Sequence, residues 1–307
     1  MDKQPKIVVI GSLNMDIVVE ADAPPQAGET MFGRSVRFVP GGKGANQAYA
    51  LAKLGADTTM IGAVGEDAFG EQMFGALSQV GVRMDGVKRL AGAATGVASI
   101  LLADGDNRII VIPGANASCS PEDVDAHRDA IAGADVVLLQ LEIPLETVVH
   151  AVKTAKRMGK TVVLNPAPAR ALPEELLQDI DYLTPNQIEL GIVGGNSGTD
   201  AEAAMSGLLE RGVRNVVTTL GAKGCAYAGA DGERGTEGGY RMDAVDTTGA
   251  GDAFNAGLAY AIASGRPLAE AARFAGKVAA LSVTKFGAQG GMPDLQAVLA
   301  FDEGRFR

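Results

Sequence analysis

Apolar and polar positions alternate along the chain with two different periods, and this alternation predicts an α/β fold. Short runs of β-branched and other apolar residues, such as 136–141, are typical of buried strands. Between them, apolar residues recur every three or four positions, as in 68–80, which is typical of helices. Strands that alternate with helices predict a mainly parallel central sheet with helices on both faces, joined by right-handed crossovers.

The predicted elements extend from the beginning of the chain to residue 285. The predicted strands are 6–10, 58–64, 97–103, 108–112, 136–141, 161–164, 182–184 and 215–220. The predicted helices are 44–54, 68–80, 121–132, 145–158, 200–211, 250–264 and 267–285. Ligands of such sheets bind beyond the carboxyl ends of the strands, so we expect a functional site at that edge.

Two regions, about 12–40 and 93–115, carry strands without helices between them. Antiparallel strands need no crossover helix. We therefore predict a small β-sheet that is attached to the α/β body and serves as a lid. No long linker, low-complexity tract or internal repeat divides the sequence, so we predict one domain over 1–307 that includes this β lid.

Composition and charge narrow the classes of function. Apolar residues make up 47% of the 307 residues and charged residues 21%, which excludes wholesale disorder. Acidic residues outnumber basic ones by 37 to 27, and the net charge of −10 argues against a general nucleic-acid binder. The longest apolar runs have the length of strands, far below the ~20 residues of a membrane span, so no membrane partner is expected.

Few residues are available for disulfide, metal or histidine chemistry. Cys119 and Cys225 form neither a disulfide framework nor a metal cluster, and they fit a reducing cytoplasm. No apolar run of signal-peptide length precedes the first strand, so we expect a cytoplasmic protein. His127 and His150 are the only histidines, and both are expected to be surface residues. Triads and zinc sites built on histidine are therefore not predicted.

The strongest local pattern is the segment DTTGAGD at 246–252, which leads into a predicted helix. Glycines at a helix start leave backbone N–H groups free and allow a ligand to approach, and the helix dipole adds positive potential there. Such a site suits the charge on a phosphoryl group in transfer. Asp252 would lie in the first helical turn, where it could accept a proton from an attacking hydroxyl. A plain helix cap with flexible glycines explains the segment equally well.

A second glycine-rich segment, PGGKGAN at 40–46, also leads into a predicted helix. Its glycines permit positive φ and close approach, and Lys43 and Asn46 can donate hydrogen bonds. A tight strand–helix turn is the alternative interpretation. Lys43 is followed by Gly44 rather than Ser or Thr, so this is not a Walker A loop, and the chain contains no GxGxxG.

Three polar residues interrupt or follow apolar runs near predicted strands. Asn14 and Asp16 would share one face of an extended segment, where an amide beside a carboxylate suits the recognition of neighbouring hydroxyls. Glu142 ends an apolar run at the carboxyl end of an inner strand, where α/β sites form. The alternatives are a solvated edge strand for the first pair and a surface-loop acid for Glu142.

Two weaker patterns follow later strands. Asn186 and Glu189 form Asn-x-x-Glu just after a strand, and 219–224 (TLGAKG) is a glycine-bearing turn after another. Turn chemistry alone explains both patterns.

Together these segments resemble the ribokinase family of carbohydrate kinases. The resemblance covers nearly the whole chain, from GSLNMD at 11–16 to GAQ at 287–289. Its two anchors, 41–46 and 246–252, are specific as an ordered pair about 200 residues apart. Shorter family-like segments lie between the anchors, namely IPGAN at 112–116, QLE at 140–142, NPAPA at 165–169 and TPN at 184–186.

The resemblance implies ATP-dependent phosphorylation of D-ribose at O5, which gives ribose 5-phosphate. It implies that Asp252 is the catalytic base and that Gly249, Ala250 and Gly251 supply the anion hole. The implied sugar contacts are Asn14, Asp16, Gly42, Lys43, Asn46, Glu142 and Asp252. The implied nucleotide contacts are Asn186, Thr219, Leu220, Gly221, Ala222, Lys223, Gly224 and Gly251.

The resemblance also implies cations and a homodimer. Glu189 would help to organise Mg²⁺ and its waters, and family members of this type often form homodimers through the lid sheet. The implied potassium ligands are Asp246 and Thr248 with carbonyls of Ser282, Lys285 and Gly287; K⁺ would act as an activator. Three positions depart from the family pattern, namely Gln187 where many relatives have Glu, Gly276 beside the adenine, and Gly291 in place of a serine ligand.

Other functions remain open from the sequence. A kinase for another small sugar or nucleoside, such as 2-deoxyribose, fructose or adenosine, would use the same motifs. Asn14, Asp16 and the complete GGKGAN segment favour ribose among these substrates. A non-catalytic regulator that responds to a sugar or nucleotide is a further alternative, against which the retention of Asp252 and the 249–251 loop argues. A purely structural α/β protein would bind neither ribose nor ATP.

Overall fold

The computed structural model describes residues 4–104, 106–195 and 200–302, which form one large and one small β-sheet with helices. The strands are β1 Lys6–Ile10, β2 Asn14–Glu20, β3 Ser35–Gly41, β4 Asp57–Gly65, β5 Arg83–Leu90, β6 Gly96–Ala103, β7 Asp106–Ile112, β8 Val136–Leu139, β9 Thr161–Leu164, β10 Tyr182–Leu183, β11 Asn215–Thr219, β12 Gly224–Gly229 and β13 Arg234–Gly238. The helices are α1 Lys43–Lys53, α2 Ala68–Gln79, α3 Pro121–Ala126, α4 Arg128–Gly133, α5 Leu145–Arg157, α6 Glu174–Leu177, α7 Gln187–Val193, α8 Ala201–Glu210, α9 Ala250–Ala263, α10 Leu268–Ser282, α11 Ala288–Gly291 and α12 Leu295–Leu299.

The large sheet has the strand order β13-β12-β11-β10-β9-β8-β1-β4-β5. Its pairs from β11 to β5 are parallel, and the β11–β12 and β12–β13 pairs are antiparallel. Successive side chains of a strand point to opposite faces, so Ile7 and Val9 enter one apolar core and Val8 and Ile10 the other. The predicted mainly parallel sheet with helices on both faces is confirmed.

The small sheet has the order β3-β2-β6-β7 and comes from the two regions predicted to lack helices between strands. The outer pairs are antiparallel, whereas the central pair β2–β6 is parallel. The small sheet is therefore confirmed as a structural unit, with a parallel pair at its centre that the sequence did not indicate. Its own apolar cluster is small and centres on Val18, Ala98 and Ile100.

The prediction of one continuous helix over 121–132 is wrong, because the backbone leaves the helical path at His127. The Nδ1 atom of His127 hydrogen-bonds the carbonyl oxygen of Asp123 at 2.8 Å. In a continuous helix, that carbonyl would accept the main-chain N–H of residue 127. The N–H of His127 instead donates to Val124 O at 3.1 Å, so α3 ends and α4 begins at this residue.

Other element ends differ from the predictions by a few residues, and three strands were not predicted. Strand β8 ends at Leu139 instead of 141, since the N–H of Leu141 donates to Ala167 O outside the ladder. Helix α10 ends at Ser282 rather than 285, ahead of Gly287 with φ of 82°. The sequences of β5, β12 and β13 are charged or glycine-bearing and lack a long apolar run.

None of the helices in the described ranges is long and apolar enough to cross a membrane.

Candidate active site

A cavity of about 1000 Å³ lies between the small sheet and the carboxyl edge of the large sheet. All of the side chains and glycines predicted to contact a sugar line it, namely Asn14, Asp16, Gly42, Lys43, Asn46, Glu142 and Asp252. These residues come from the beginning, middle and end of the chain, and the fold brings them into one space. We call it the polar cavity.

Two glycines allow the turn before α1 to reach this cavity. Gly42 has φ of 85°, and a Cβ atom there would lie 2.7 Å from the main-chain nitrogen of Asn14. A Cβ atom on Gly44 would lie 2.6 Å from the nitrogen of Ser12. Side chains at these positions would push α1 away from the 11–14 segment, so the GGKG sequence is required by close backbone approach as well as by positive φ. The side chains of Lys43 and Asn46 are thereby held over the end of β1.

Helix α9 begins at the other glycine-rich segment. Gly249 has φ of 77°. A Cβ atom there would lie 2.7 Å from the Cβ of Ala288, so a larger residue would not fit. Asp252 is in the first helical turn, as the sequence predicted, and the structure shows that it is buried. The N–H of Ala250 donates to Thr247 O at 3.2 Å, so this amide is engaged by the turn itself. The expected anion-hole role of Ala250 requires that this long hydrogen bond open.

Each carboxylate oxygen of Asp252 accepts one side-chain amide from α1. The Nδ2 of Asn46 lies 2.9 Å from Oδ2, and the Nε2 of Gln47 lies 3.1 Å from Oδ1. The Oδ1 of Asn46 in turn accepts Gln289 Nε2 at 3.3 Å. The starts of α1 and α9 are therefore joined through Asp252, and its carboxylate is held by two donors.

Carboxylates influence the half-buried Lys43 in the polar cavity. Burial alone would lower the pKa of Lys43, but the charges of Asp252, Glu142 and other nearby carboxylates outweigh burial and raise the pKa. Glu142 accepts the hydroxyl of Ser12 at 2.5 Å and the main-chain N–H of Lys43 at 3.2 Å. A protonated lysine among carboxylates and amides is suited to binding the hydroxyls of a neutral, polyhydroxylated ligand.

Asp16 is the carboxyl group whose protonation is most altered by the site. Burial, followed by the charges of Glu142 and Asp252, raises the pKa of Asp16 to about 7, and Lys43 only partly opposes this. Asp16 faces the cavity from the same side of β2 as Asn14, as the alternation of the strand predicted.

Asn116 fixes the orientation of Asn14. It donates from Nδ2 to Asn14 Oδ1 at 2.8 Å and to Leu13 O at 3.0 Å, and it accepts the Leu13 N–H at 2.9 Å. Since the oxygen of Asn14 is occupied, its amide nitrogen remains to donate to a ligand. In the sequence, Asn116 is marked only as part of the IPGAN segment. Its buried hydrogen bonds give a structural reason for the asparagine in that segment.

A second cavity of about 490 Å³ lies on the other side of the 244–251 segment. Of the residues predicted to bind a nucleotide, Thr219, Gly221, Ala222, Gly224 and Gly251 line it, whereas Leu220 and Lys223 do not. Phe254, Ala279 and Val283 supply apolar surface, and Gly276 leaves room beside Tyr240. We call it the apolar cavity. Ala244 and Thr247 line both cavities, so the loop that ends in the α9 N-terminus separates them.

Asn186 and Glu189 line neither of these two cavities. Asn186 caps α7 by accepting the N–H groups of Ile188 and Glu189, both at 2.9 Å, and Glu189 Oε2 accepts the Asn186 N–H at 2.8 Å. This reciprocal capping explains the Asn-x-x-Glu pattern structurally. Burial raises the pKa of Glu189, and the hydrogen bond from the Asn186 N–H and the charge of Lys43 only partly oppose this.

Asp246 is hydrogen-bonded to two of the other residues expected to hold potassium. Asp246 accepts the N–H of Thr248 and that of Gly287, both at 2.9 Å. Burial acts to raise the pKa of Asp246, but these hydrogen bonds outweigh burial and hold the pKa below its ordinary value. A Cβ atom on Gly291 would lie 2.0 Å from Ser282 O, so a serine at 291 does not fit this backbone. Lys285 is exposed.

Several site residues were not predicted from the sequence. Gln47 contacts Asp252, but in the sequence it is marked only by its position directly after GGKGAN. Arg37 on β3 lines the polar cavity, and its guanidinium lies 4.2 Å from the ring centre of Phe286, which also lines the cavity. A basic residue on a strand of the small sheet gives no sequence indication of such a long-range contact.

Comparisons with known proteins identify the family of this chain. The model of the family described as pfkB family carbohydrate kinase matches residues 4–295. Ribokinase of Bacillus subtilis is 43% identical over 287 residues, which cover 94% of this chain and 96% of the relative. The structure of Thermotoga maritima ribokinase has a TM-score of 0.89 and 37% identity, covering 96% of this chain and 98% of that one. The structure of Arabidopsis thaliana ribokinase complexed with ribose and ATP has a TM-score of 0.90 and 36% identity, covering 98% and 100%.

The raised pKa of Asp16 predicts a pH-dependent cost to stability. The native state holds this proton up to about pH 7, whereas the unfolded chain releases it near 3.8, so ionisation of Asp16 lowers stability as the pH rises between these values. Asp16→Asn has no carboxyl group to ionise, so it does not pay this cost. We therefore expect its free energy of unfolding minus that of the unsubstituted protein to rise by about 3 kcal/mol between pH 5 and pH 8.

Urea unfolding at several pH values measures this difference. The exposed Asp129→Asn on α4 is the matched control, and its difference from the unsubstituted protein should stay constant over the same range. A constant or falling difference for Asp16→Asn would contradict the raised pKa.

Proposed function

Because the chain belongs to the pfkB family of carbohydrate kinases, we propose that it transfers the γ-phosphoryl group of ATP to O5 of D-ribose. The observation that carries this proposal is the position of Asp252 at the start of α9, at the loop between a polar and an apolar cavity. Similarity to ribokinases over nearly the full length supports ribose and ATP as the substrates. The products are ribose 5-phosphate and ADP.

Asp252 acts as the base in the proposed reaction. A carboxylate held by Asn46 and Gln47 is ready to accept the proton of the O5 hydroxyl as the oxygen attacks the γ-phosphorus. The bond between the γ-phosphorus and the bridging oxygen breaks, and ADP leaves with that electron pair. Main-chain amides of Gly249 and Gly251 and the helix dipole of α9 stabilise the charge on the transferred group, joined by Ala250 once its turn hydrogen bond opens.

The polar cavity binds the sugar in this proposal. Asp16 and Glu142 accept hydrogen bonds from sugar hydroxyls, while Lys43 and the free amide of Asn14 donate to sugar oxygens. Gly42 and Asn46 line the same surface. Such a site rejects an analogue that lacks one hydroxyl, since the group that binds it would be left buried without a partner.

The apolar cavity binds the nucleotide. The 219–224 turn and Gly251 approach the phosphates and ribose of ATP, and the apolar surface around Phe254 and Val283 packs against the base. Asn186 follows β10 and pairs with Thr219, the last residue of β11, in a parallel bridge. Leu220 and Lys223 belong to the turn but do not line the cavity, so they would act through its shape.

The residues present fit a magnesium ion held mainly by phosphates. In the described part of the chain no group of three or more His, Cys, Asp and Glu side chains could hold a metal ion. Mg²⁺ prefers oxygen ligands, and a bound ion would offset the negative charge of the nucleotide phosphates. Glu189, one oxygen of which caps α7, would hold its waters with the other.

A potassium activator also fits, with fewer ligands than the family pattern. Asp246 and the carbonyls of Thr248, Ser282, Lys285 and Gly287 would hold the ion, and Gly291 contributes no side chain. A monovalent cation there would stabilise the loop on which the α9 N-terminus depends, because Asp246 ties that loop to Gly287.

The small sheet serves as a lid over the sugar and as a dimer interface in this proposal. Strand β7 is exposed along its length, and it is an edge strand in the small sheet. Ile109 and Val111 line the polar cavity, while Ile110 and Ile112 face away from it. An open edge with apolar residues is suited to pairing with a second copy of the chain.

A coupled ADP-release assay tests the function. With ATP and Mg²⁺, we expect D-ribose to give the highest kcat/KM in a panel with 2-deoxyribose, fructose and adenosine, since each alternative differs in the hydroxyls that Asn14 and Asp16 would bind. The same assay with and without K⁺ measures activation. A higher kcat/KM for another panel member would reassign the substrate, and no ADP release with any of them would contradict the kinase assignment.

Replacement of Asp252 tests the base. We expect Asp252→Asn to lower kcat at least ~10²-fold, because the amide cannot accept the O5 proton, with a modest change in sugar binding measured by calorimetry. Asp129→Asn is the matched surface control and should leave kcat unchanged. Turnover by Asp252→Asn at the unsubstituted rate would remove Asp252 from this role.

The dimer proposal is tested on β7. We expect Ile110→Asp to give a monomer in analytical ultracentrifugation, because a charge on the apolar edge opposes pairing of two copies. Leu299→Asp places the same charge on an exposed apolar position of α12 and should leave the mass unchanged. A monomeric unsubstituted protein, or a dimer that survives Ile110→Asp, would contradict the interface.

A further inference from the structure

Gln47 is a fully buried polar residue that contacts the proposed base, Asp252. It lies on α1 next to Asn46, and it does not line the polar cavity. Its Nε2 donates to Asp252 Oδ1 at 3.1 Å, on the side of the carboxylate opposite to Asn46. A buried amide that touches the base but not the substrate space has the position of a supporting residue.

We propose that Gln47 is a positioning residue for phosphoryl transfer, which holds the carboxylate of Asp252 in the orientation that accepts the O5 proton. This inference rests on the proposed function, in which Asp252 is the base. Gln47 acts through Asp252 and makes no contact with sugar or nucleotide.

A continuous set of buried hydrogen bonds surrounds Gln47. Gln140 donates from Nε2 to Gln47 Oε1 at 2.6 Å, and Gln47 Nε2 also approaches Asn165 Oδ1 at 3.4 Å. Asn165 donates to Thr184 O at 3.1 Å, and the hydroxyl of Thr184 donates to Asn255 Oδ1. We call the side chains of these residues, with Gln47, the amide network.

The directions of the Gln47, Asn165 and Asn255 amides are determined by groups in their surroundings that can only accept a hydrogen bond. Asn255 donates to the main-chain oxygen of Gly251 at 2.8 Å, which can only accept, so its own oxygen must face the Thr184 hydroxyl. Asn165 donates to another main-chain oxygen, so its Oδ1 must face Gln47. Because Asp252 as a carboxylate also only accepts, the Nε2 of Gln47 is directed to both.

The far side of Gln47 is compatible with the same orientation. Gln140 presents its Nε2 to Gln47 Oε1, and its own Oε1 has no hydrogen-bond partner among the described residues. A Cβ atom on Gly11 would lie 1.9 Å from that Oε1, so glycine at this position makes room for the Gln140 amide. A reversed Gln47 would place its oxygen against the Asp252 carboxylate and against Asn165 Oδ1, and both contacts would be repulsive.

The network also touches the anion loop, since it ends on Gly251. The base and the helix start that receives the phosphoryl group are therefore linked through these side chains and the main chain of Thr184. Loss of the Gln47 donor would leave Oδ1 of Asp252 free to rotate toward other donors. The carboxylate would then spend less time aligned with O5, while the sugar contacts stay in place. A misalignment of about 1 Å can cost ~10²-fold in rate.

The experiment measures kcat and KM with the full-length chain. We expect Gln47→Met, which keeps the side-chain length but removes the amide, to lower kcat about 10²-fold. KM for ribose and for ATP should stay within about threefold, because neither ligand touches residue 47. If Gln47→Met does not fold, Gln47→Asn takes its place, since its amide is one methylene too short to reach Asp252.

Asn215→Ala is the control for the loss of a buried amide. Asn215 is buried at the start of β11 and donates to Asp181 O at 2.9 Å, away from both cavities. We expect this variant to lower the melting temperature and to leave kcat unchanged. Equal losses of kcat in Asn215→Ala and Gln47→Met would reduce Gln47 to a structural role and overturn the proposal.

A double-mutant cycle separates this inference from the proposed function. In an Asp252→Ala background, Gln47→Met should change the residual kcat by less than about threefold, because no carboxylate is left to position. A further loss as large as that of the single variant would overturn the proposal. Full activity of Asp252→Ala alone would contradict the base assignment itself, whereas inactive Asp252→Ala with fully active Gln47→Met would contradict only the role of Gln47.

Discussion

The site depends on the contact between the starts of two helices, which Asn46 and Gln47 of α1 make with Asp252 of α9. These hydrogen bonds join residues more than 200 positions apart in the sequence. They form only because Gly42 and Gly44 bring α1 against the 11–14 segment and Gly249 brings α9 against Ala288. The glycine content at these two turns is therefore a requirement of backbone approach, and the chemistry of the site follows from it.

The same contact determines the charge distribution of the polar cavity. It places Asp252 beside Lys43, Asp16 and Glu142 in a space that burial makes less favourable for ions. The pKa values of both groups are raised, so Lys43 stays charged while Asp16 retains a proton to about pH 7. A site of this kind offers both donors and acceptors to an uncharged sugar, and the positive end of α9 is left for the phosphates.

Much of this arrangement could be predicted from the sequence because it follows local rules. The period of two placed Asn14 and Asp16 on one face, and the glycine segments marked the two helix starts that meet. The rest depends on long-range contacts that have no local pattern. Gln47 meets Asn165 across 118 residues, and Arg37 of the small sheet meets Phe286.

Local competition explains other differences between sequence and structure. His127 breaks a helix through its own ring, and its sequence environment gives no warning of this. Glu189 was expected to serve a magnesium ion, yet one of its oxygens first caps α7.

A crystal structure with ribose and a non-hydrolysable ATP analogue tests the central claim most directly. The account predicts O5 of ribose within hydrogen-bond distance of the Asp252 carboxylate, with Asn46 and Gln47 still bound to its two oxygens and the γ-phosphate over the amides at 249–251. A sugar bound outside the polar cavity, or an Asp252 side chain turned away from O5 and from α1, would contradict it.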